Sequence, residues 1–375
     1  MQEFIAKNTE SIYKTLRELC AIPAPSHHEG ARAAYCKQWL ENAGATGVYI
    51  DGAQNVIFPI GCEGSDEITV FVAHTDTVFP DTEPMPYVDD GTLIRSPGVG
   101  DDTASLTILL HVAKCFVEEN IRPAGGVLFV CNSCEEGLGN LKGTRQLFCD
   151  FAGRISRFIS FDSYFDKIAD TCVGSHRYEV TVTTEGGHSF LAFGKESAIA
   201  ALSRMVCDIY EIEVPRVDGS RTTYNVGEIT GGTSVNTIAG RASMLCEYRS
   251  DNEDCLAVMQ AHFERIFEAA RARGVALSVK RIGERPCMGK VDRAEVARLT
   301  SVCRDIIEKT AGVTASSSSS STDCNIPLSL GVPAICIGVY RGGGMHTREE
   351  WVEKASLPVG LSIGIQVALA LTEKE

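Results

Sequence analysis

Positive charge is what this sequence has least of: 35 Lys and Arg stand against 49 Asp and Glu in 375 residues, a net charge of −14. Phosphate-rich surfaces repel such a chain, which excludes nucleic acid and acidic membranes as ordinary partners. Long apolar runs are absent too, and none approaches the roughly 20 residues of a membrane span. Met1 to Arg17 mixes charged and apolar residues like an amphipathic helix and lacks the apolar core of a secretory leader, so a cytoplasmic location is expected. No second CxxC accompanies Cys131 and Cys134, and no internal repeat is visible. Without an export signal the fifteen cysteines do not suggest a disulfide framework. Cys115, Cys131, Cys246 and Cys336 lie inside apolar segments, where a thiol behaves as a small hydrophobe. The apolar fraction of 44% and charged fraction of 22% are those of a globular protein, long enough for two domains.

What is present is organised around Ile68-Thr69-Val70-Phe71-Val72-Ala73-His74-Thr75-Asp76, a β-branched apolar run that stops at a His-x-Asp pair. Such a run reads as a buried strand of a sheet covered on both faces. Groups just past its carboxyl end point into the crevice where open α/β sheets bind ligands. The event recurs. Gly126 to Asn132 ends at Glu135 and Glu136, Arg157 to Phe161 at Asp162, and Val332 to Gly338 leads through Gly342–Gly344 to His346. Asp101 and Asp102 precede an apolar helical segment from Leu106 to Glu119, where carboxylates are tolerated as helix caps as well as ligands. If the strands are parallel neighbours, all of these groups meet in one crevice.

The middle of the chain changes rhythm. Strands at 177–184, 222–229, 242–248 and 275–282 alternate with helices at 197–213 and 253–272, the β-α-β-β-α-β order of a ferredoxin-like unit. The expected fold is therefore α/β, a mostly parallel-centred sheet with helices on both faces, plus an inserted α+β domain. Residues 1–174 and 288–375 would make the first domain and 175–287 the second. The low-complexity run Ser316 to Ser321 is expected to be an ordered loop beside the crevice.

Two histidines with several carboxylates suit a borderline-hard divalent ion, zinc most readily. There are too many ligands for one open tetrahedral site. They fit two ions, His74 and Asp162 on one, His346 and Glu136 on the other, with Asp101 between. Ions about 3.5–4 Å apart can hold a hydroxide nucleophile and polarise a carbonyl. Glu135 is then the natural general base, and Asp76 would buttress the His74 ring through its other nitrogen.

These residues sit in recognisable motifs: HTD at 74–76, GDD at 100–102, EEG at 135–137, GGHS at 186–189, NVGEITGGTSVN at 225–236, STDCN at 321–325 and GGGMHTREEW at 342–351. In that order they resemble the co-catalytic zinc metallopeptidase family of peptidase T, glutamate carboxypeptidase, acetylornithine deacetylase and succinyl-diaminopimelate desuccinylase. The resemblance implies two Zn2+ (or Mn2+ or Co2+), a bridging Asp101 and a cis Asp101–Asp102 peptide. It implies that the inserted domain is a lid and dimerisation domain, so that the protein is a homodimer. By the same resemblance His188 stabilises the oxyanion, while Asn236 and Arg249 bind polar groups and the carboxylate of the substrate. For Arg249 a surface salt bridge is the competing account.

Two departures bear on substrate. Asp102-Thr103-Ala104-Ser105 stands where the family commonly has Lys or Met with Gly, and Asp162 is an aspartate, as in the family's aminopeptidases and dipeptidases. Both lean toward a peptidase T-like enzyme acting on short peptides. An N-acyl-amino-acid deacylase or carboxypeptidase is the close rival, and a catalytically silent metal-binding module the remote one.

Overall fold

The apolar run that ends in the His-x-Asp pair is a strand over Ile68–His74, every residue of it buried, inside an eight-stranded sheet. The computed structural model describes residues 1–373. In chain order the strands of this sheet are β1 (Tyr49–Ile50), β2 (Val56–Ile60), β3 (Ile68–His74), β4 (Gly126–Asn132), β5 (Ile155–Phe161) and β6 (Lys167–Cys172), then β11 (Ser316–Ser320) and β12 (Ala334–Ile337). Their spatial order is β1-β2-β4-β3-β5-β12-β6-β11. The four central strands, β4, β3, β5 and β12, are mutually parallel, whereas β2 and β6 join them antiparallel. The sheet is thus mixed, with a parallel centre.

Placing β4 on one side of β3 and β5 on the other makes the carboxyl end of β3 a switch point, where successive connections leave in opposite directions. Helices cover both faces. Phe116 of helix α3 (Ser105–Glu118) meets Phe129 edge-on with ring centroids 5.0 Å apart, and Phe129 stacks on Phe71. On the opposite face Phe148 of α4 (Lys142–Asp150) packs on Phe158, which is paired with Val70. Each fully buried ring, Phe71, Phe116, Phe129 and Phe158, contributes about 1.5–3 kcal/mol relative to exposure, so both faces of the strands that carry the site are pinned. Helices α1 (Gln2–Cys20), α2 (Gly30–Asn42), α7 (Arg293–Ala311) and α8 (Ser356–Thr372) complete the layers. Among the described residues no helix is long and apolar enough to cross a membrane.

One expectation fails on this sheet, and one strand went unread. The serine run is not a loop: Ser316–Ser320 is β11, an edge strand parallel to β6. Its ladder is made by backbone, with Ser316 N–H on the Asp166 carbonyl at 2.9 Å, and hydroxyl side chains on an exposed edge leave no apolar alternation to read. Strand β6 was not anticipated for a similar reason, since Lys167, Asp170 and Thr171 interrupt its apolar pattern.

Contacts divide the chain into Met1–Cys172 with Gly289–Glu375, and Val173–Met288. The second unit contains β7 (Gly174–Thr183), α5 (Ala198–Tyr210), β8 (Thr222–Gly231), β9 (Arg241–Ser250), α6 (Glu253–Ala272) and β10 (Ala276–Arg285). Its sheet is antiparallel in the order β8-β9-β7-β10. The inward residues of β7 and β9, among them Val180, Val182 and Met244, form a core with Leu202 and Met205 of α5 and Phe263 of α6. Asn252 caps α6 by accepting the Cys255 N–H.

Candidate metal centre

Strand ends deliver the side chains. His74 is the last residue of β3, Glu135 and Glu136 follow β4, Asp162 follows β5, and His346 lies in the loop beyond β12. A wide turn over Val99–Ala104, with a cis Asp101–Asp102 peptide, brings two further carboxylates to the same place at the start of α3.

Asp101 is central. Its Oδ1 lies 3.0 Å from His74 Nε2 and its Oδ2 lies 2.9 Å from His346 Nε2. Two groups of ligand atoms, each with members within 4.8 Å of one another, share this carboxylate: His74, Asp101, Asp102 and Asp162, and separately Asp101, Glu136 and His346. A third such group joins His74 to Glu135 and Glu136. Of the residues expected at the crevice, His74, Asp76, Asp101, Glu135, Glu136, Asp162 and His346 all belong to this unit and gather here.

The surroundings orient these groups. His74 Nδ1 donates to the Asp76 carbonyl at 3.0 Å, which leaves the Nε2 lone pair for a ligand. The Asp76 carboxylate lies 3.4 Å from the same nitrogen, but its better hydrogen bonds go elsewhere. Oδ1 accepts the Glu135 N–H at 3.0 Å, and Oδ2 accepts the Glu136 N–H at 2.9 Å and the Ser26 hydroxyl at 2.6 Å. Asp102 Oδ2 accepts the His74 N–H at 2.9 Å, so its remaining oxygen alone is open to an ion.

Three supporting residues escaped the sequence reading. Glu350, buried, accepts the N–H groups of Gly98, Gly100 and Asp101 at 2.7, 3.2 and 2.8 Å. Asp323, also buried, accepts from Asn132 at 2.6 Å and from the Thr144 hydroxyl, tying the end of β4 to α4. Arg32, buried behind the site, donates to the carbonyls of Ile22 and Thr75 and to the Thr103 hydroxyl. Glu350 and Asp323 lie within motifs already singled out, but their partners are distant in sequence.

Charge is out of balance in this pocket. Burial, with Asp101 adding to it, pushes the carboxyls of Asp102 and Asp162 well above the usual range and raises Glu136 to about 7. Burial opposes ionisation of Asp101 as well, yet hydrogen bonds from His346 and His74 hold it far below the ordinary value. The carboxylate oxygens of Asp101 and Glu136, 2.9 and 3.2 Å from its Nε2, raise His346 to about 10. Carboxylates crowd the two rings, an arrangement that a bound cation would relieve. Glu136 Oε1 is buried without a well-directed hydrogen bond, although His346 Nε2 lies 3.2 Å away. Ring nitrogen and oxygen are disposed as two ligands facing a shared ion. The donor set, imidazole and carboxylate without thiolate, fits divalent cations of the zinc, manganese or cobalt kind.

His188, Asn236 and Arg249 lie in the second unit. His188 Nδ1 accepts the N–H groups of Phe190 and Leu191 at 3.2 and 3.5 Å, which puts the proton on Nε2. The Asn236 carbonyl accepts the Ser189 N–H at 2.9 Å, holding the two loops together. Arg249 grips Glu247 through Nε and Nη2 at 2.8 and 3.1 Å.

Comparison with known proteins gives this geometry a lineage. YqjE of Bacillus subtilis (strain 168), an uncharacterized protein, is 25% identical over 368 residues, 92% of this chain and 93% of its own. The crystal structure of aminopeptidase PepT from Bacillus cereus has a TM-score of 0.71 at 21% identity and covers 96% of this chain and 99% of that one. A tripeptidase from Staphylococcus aureus gives 0.75 at 20% identity, covering 97% and 99%. At such identities these structures establish the fold alone. Residues 70–370, which include every member of the acidic and histidine cluster, match the description "Peptidase family M20/M25/M40". The chain belongs to that family and is a metal-dependent hydrolase of peptide or amide bonds.

Proposed function

We propose that the protein hydrolyses an amide bond of short peptides, as an aminopeptidase, tripeptidase or dipeptidase. His74, Asp101 and Asp162 would hold one divalent cation, and Asp101, Glu136 and His346 a second, zinc being the best match to the ligands. The observation that carries the reading is the Asp101 carboxylate, one oxygen turned to each histidine. Bound cations would supply Lewis acidity toward the scissile carbonyl and acidify a water.

The chain's own residues do the rest. Glu135, buried and grouped with His74 and Glu136, takes the proton of the attacking water and returns it to the leaving nitrogen. Asp76 keeps Glu135 and Glu136 in place through their backbone. His188, with its proton on Nε2, is the proposed donor to the developing oxyanion. Asn236 and Arg249 are the proposed contacts for the substrate's polar groups and carboxylate; Glu247 engages Arg249 through Nε and Nη2 and fixes the fork.

The peptidase reading is supported by the aspartate at position 162 and by whole-chain likeness to an aminopeptidase and a tripeptidase. The fifteen cysteines, mostly buried as small apolar side chains, suit a reducing cytoplasm, and we take the enzyme to be a homodimer joined through the inserted unit, which would act as its lid. Metal analysis combined with a panel of di- and tripeptides beside N-acetyl amino acids tests the assignment. Two divalent ions per chain and turnover of the peptides are expected. Turnover of the acylated set alone would move the enzyme to the deacylases.

A further inference from the structure

The two halves of the cluster are supported very differently. His74 is buried on a central strand, its backbone N–H held by Asp102. His346 projects from a glycine-rich loop, has a left-handed backbone (φ 63°), and its side chain is 53% exposed. Something must hold that imbalance in check, because a ligand free to swing loses affinity for its ion.

Two residues beyond His346, the Arg348 fork closes on Asp81, Nη1 to Oδ1 at 3.2 Å and Nη2 to Oδ2 at 2.7 Å. Its guanidinium also lies 5.5 Å from the centre of the Phe79 ring. Phe79 is buried, so the contact has a fixed floor. Asp81 and Phe79 belong to the segment that runs on from Asp76. The pair therefore ties the loop carrying His346 to the loop that leaves β3. On the near side of His346, the Met345 N–H donates to Tyr164 Oη at 3.3 Å. An exposed ion pair adds little to folding stability. A planar fork fixed at both oxygens and over an aromatic ring is instead suited to setting a loop's position.

We propose that Arg348, through its grip on Asp81 and Phe79, is a positioning residue that sets the His346 imidazole for the second cation. The inference rests on the two-cation reading given above. It names Arg348 as a determinant of one half of the site only, with the His74 half independent of it.

The test is calorimetric titration of the metal-free protein with Zn2+, for wild type, Arg348→Ala, Asp81→Ala, the double variant and Arg348→Lys. In wild type two binding events are expected. In either alanine variant the weaker-held ion should lose affinity by roughly 10–100-fold, with the other ion and the melting temperature of the metal-free protein unchanged. The double variant should be no weaker than the worse single one, since both remove one interaction. Arg348→Lys, which keeps the charge and loses the fork, should recover only part of the affinity. Unchanged binding of both ions in Arg348→Ala would overturn the proposal. So would equal weakening of both ions together with a lower melting temperature, the mark of a merely structural role, or additive losses in the double variant. A single ion in wild type would instead remove the two-cation reading itself.

Discussion

The Asp76 carboxylate accepts the backbone N–H of Glu135 at 3.0 Å across 59 residues of sequence, and with its second oxygen takes the N–H of Glu136. A residue suited by its spacing to orient His74 thus mainly holds the glutamate pair. Asp76→Asn keeps the shape but offers one acceptor oxygen for two backbone donors. It should lower kcat by roughly 10–100-fold with both ions retained, as steady-state kinetics beside metal analysis will show.

Removing the proposed base separates chemistry from structure more sharply. Glu135→Ala should retain both metals and lose several orders of magnitude in kcat with little change in KM. Metal content and kinetics on one preparation decide it; retained activity would exclude Glu135 from proton transfer.

Glycine is required at position 100. A Cβ there would stand 2.7 Å from Tyr340 Oη and 2.8 Å from Glu350 Oε1, the oxygen that accepts the Asp101 N–H. Gly100→Ala should therefore displace the turn that presents Asp101, at a cost of roughly 1–3 kcal/mol, and weaken the binding of both ions. Thermal melts and zinc titration of the variant measure the two effects.

Asp323 gives the metal-free protein a pH dependence of defined sign. Burial, with Glu135 adding to it, raises its carboxyl from 3.8 to about 6. Between those values the folded chain keeps a proton that the unfolded chain has lost. Its contribution to stability is complete below the lower value and is lost as pH rises through the upper. Asp323→Asn cannot lose that proton, so its melting temperature relative to wild type should climb between pH 4 and 6 in chelator. A flat difference would show that Asp323 titrates normally.

Strand ends made the ligands legible. Ile68–His74 and Gly126–Asn132 are mostly apolar and wholly buried, Ile155–Phe161 is buried from Phe158 onward, and an ionisable group just past a buried strand has few other reasons to be there. The supports behind them were hidden. Glu350 serves backbone N–H groups 249 to 252 residues away, and backbone donors leave no trace in a side-chain pattern. Strand β11 was hidden because five serines carry no hydrophobic period, although their backbone pairs as well as any other.

The most direct test of the account is the number of divalent ions carried by wild type, His74→Ala and His346→Ala, by elemental analysis of each protein after dialysis against excess Zn2+. Two ions per chain are expected in wild type and one in each variant, because the two clusters share only Asp101. Two ions still present in His346→Ala, or a single ion in wild type, would contradict it.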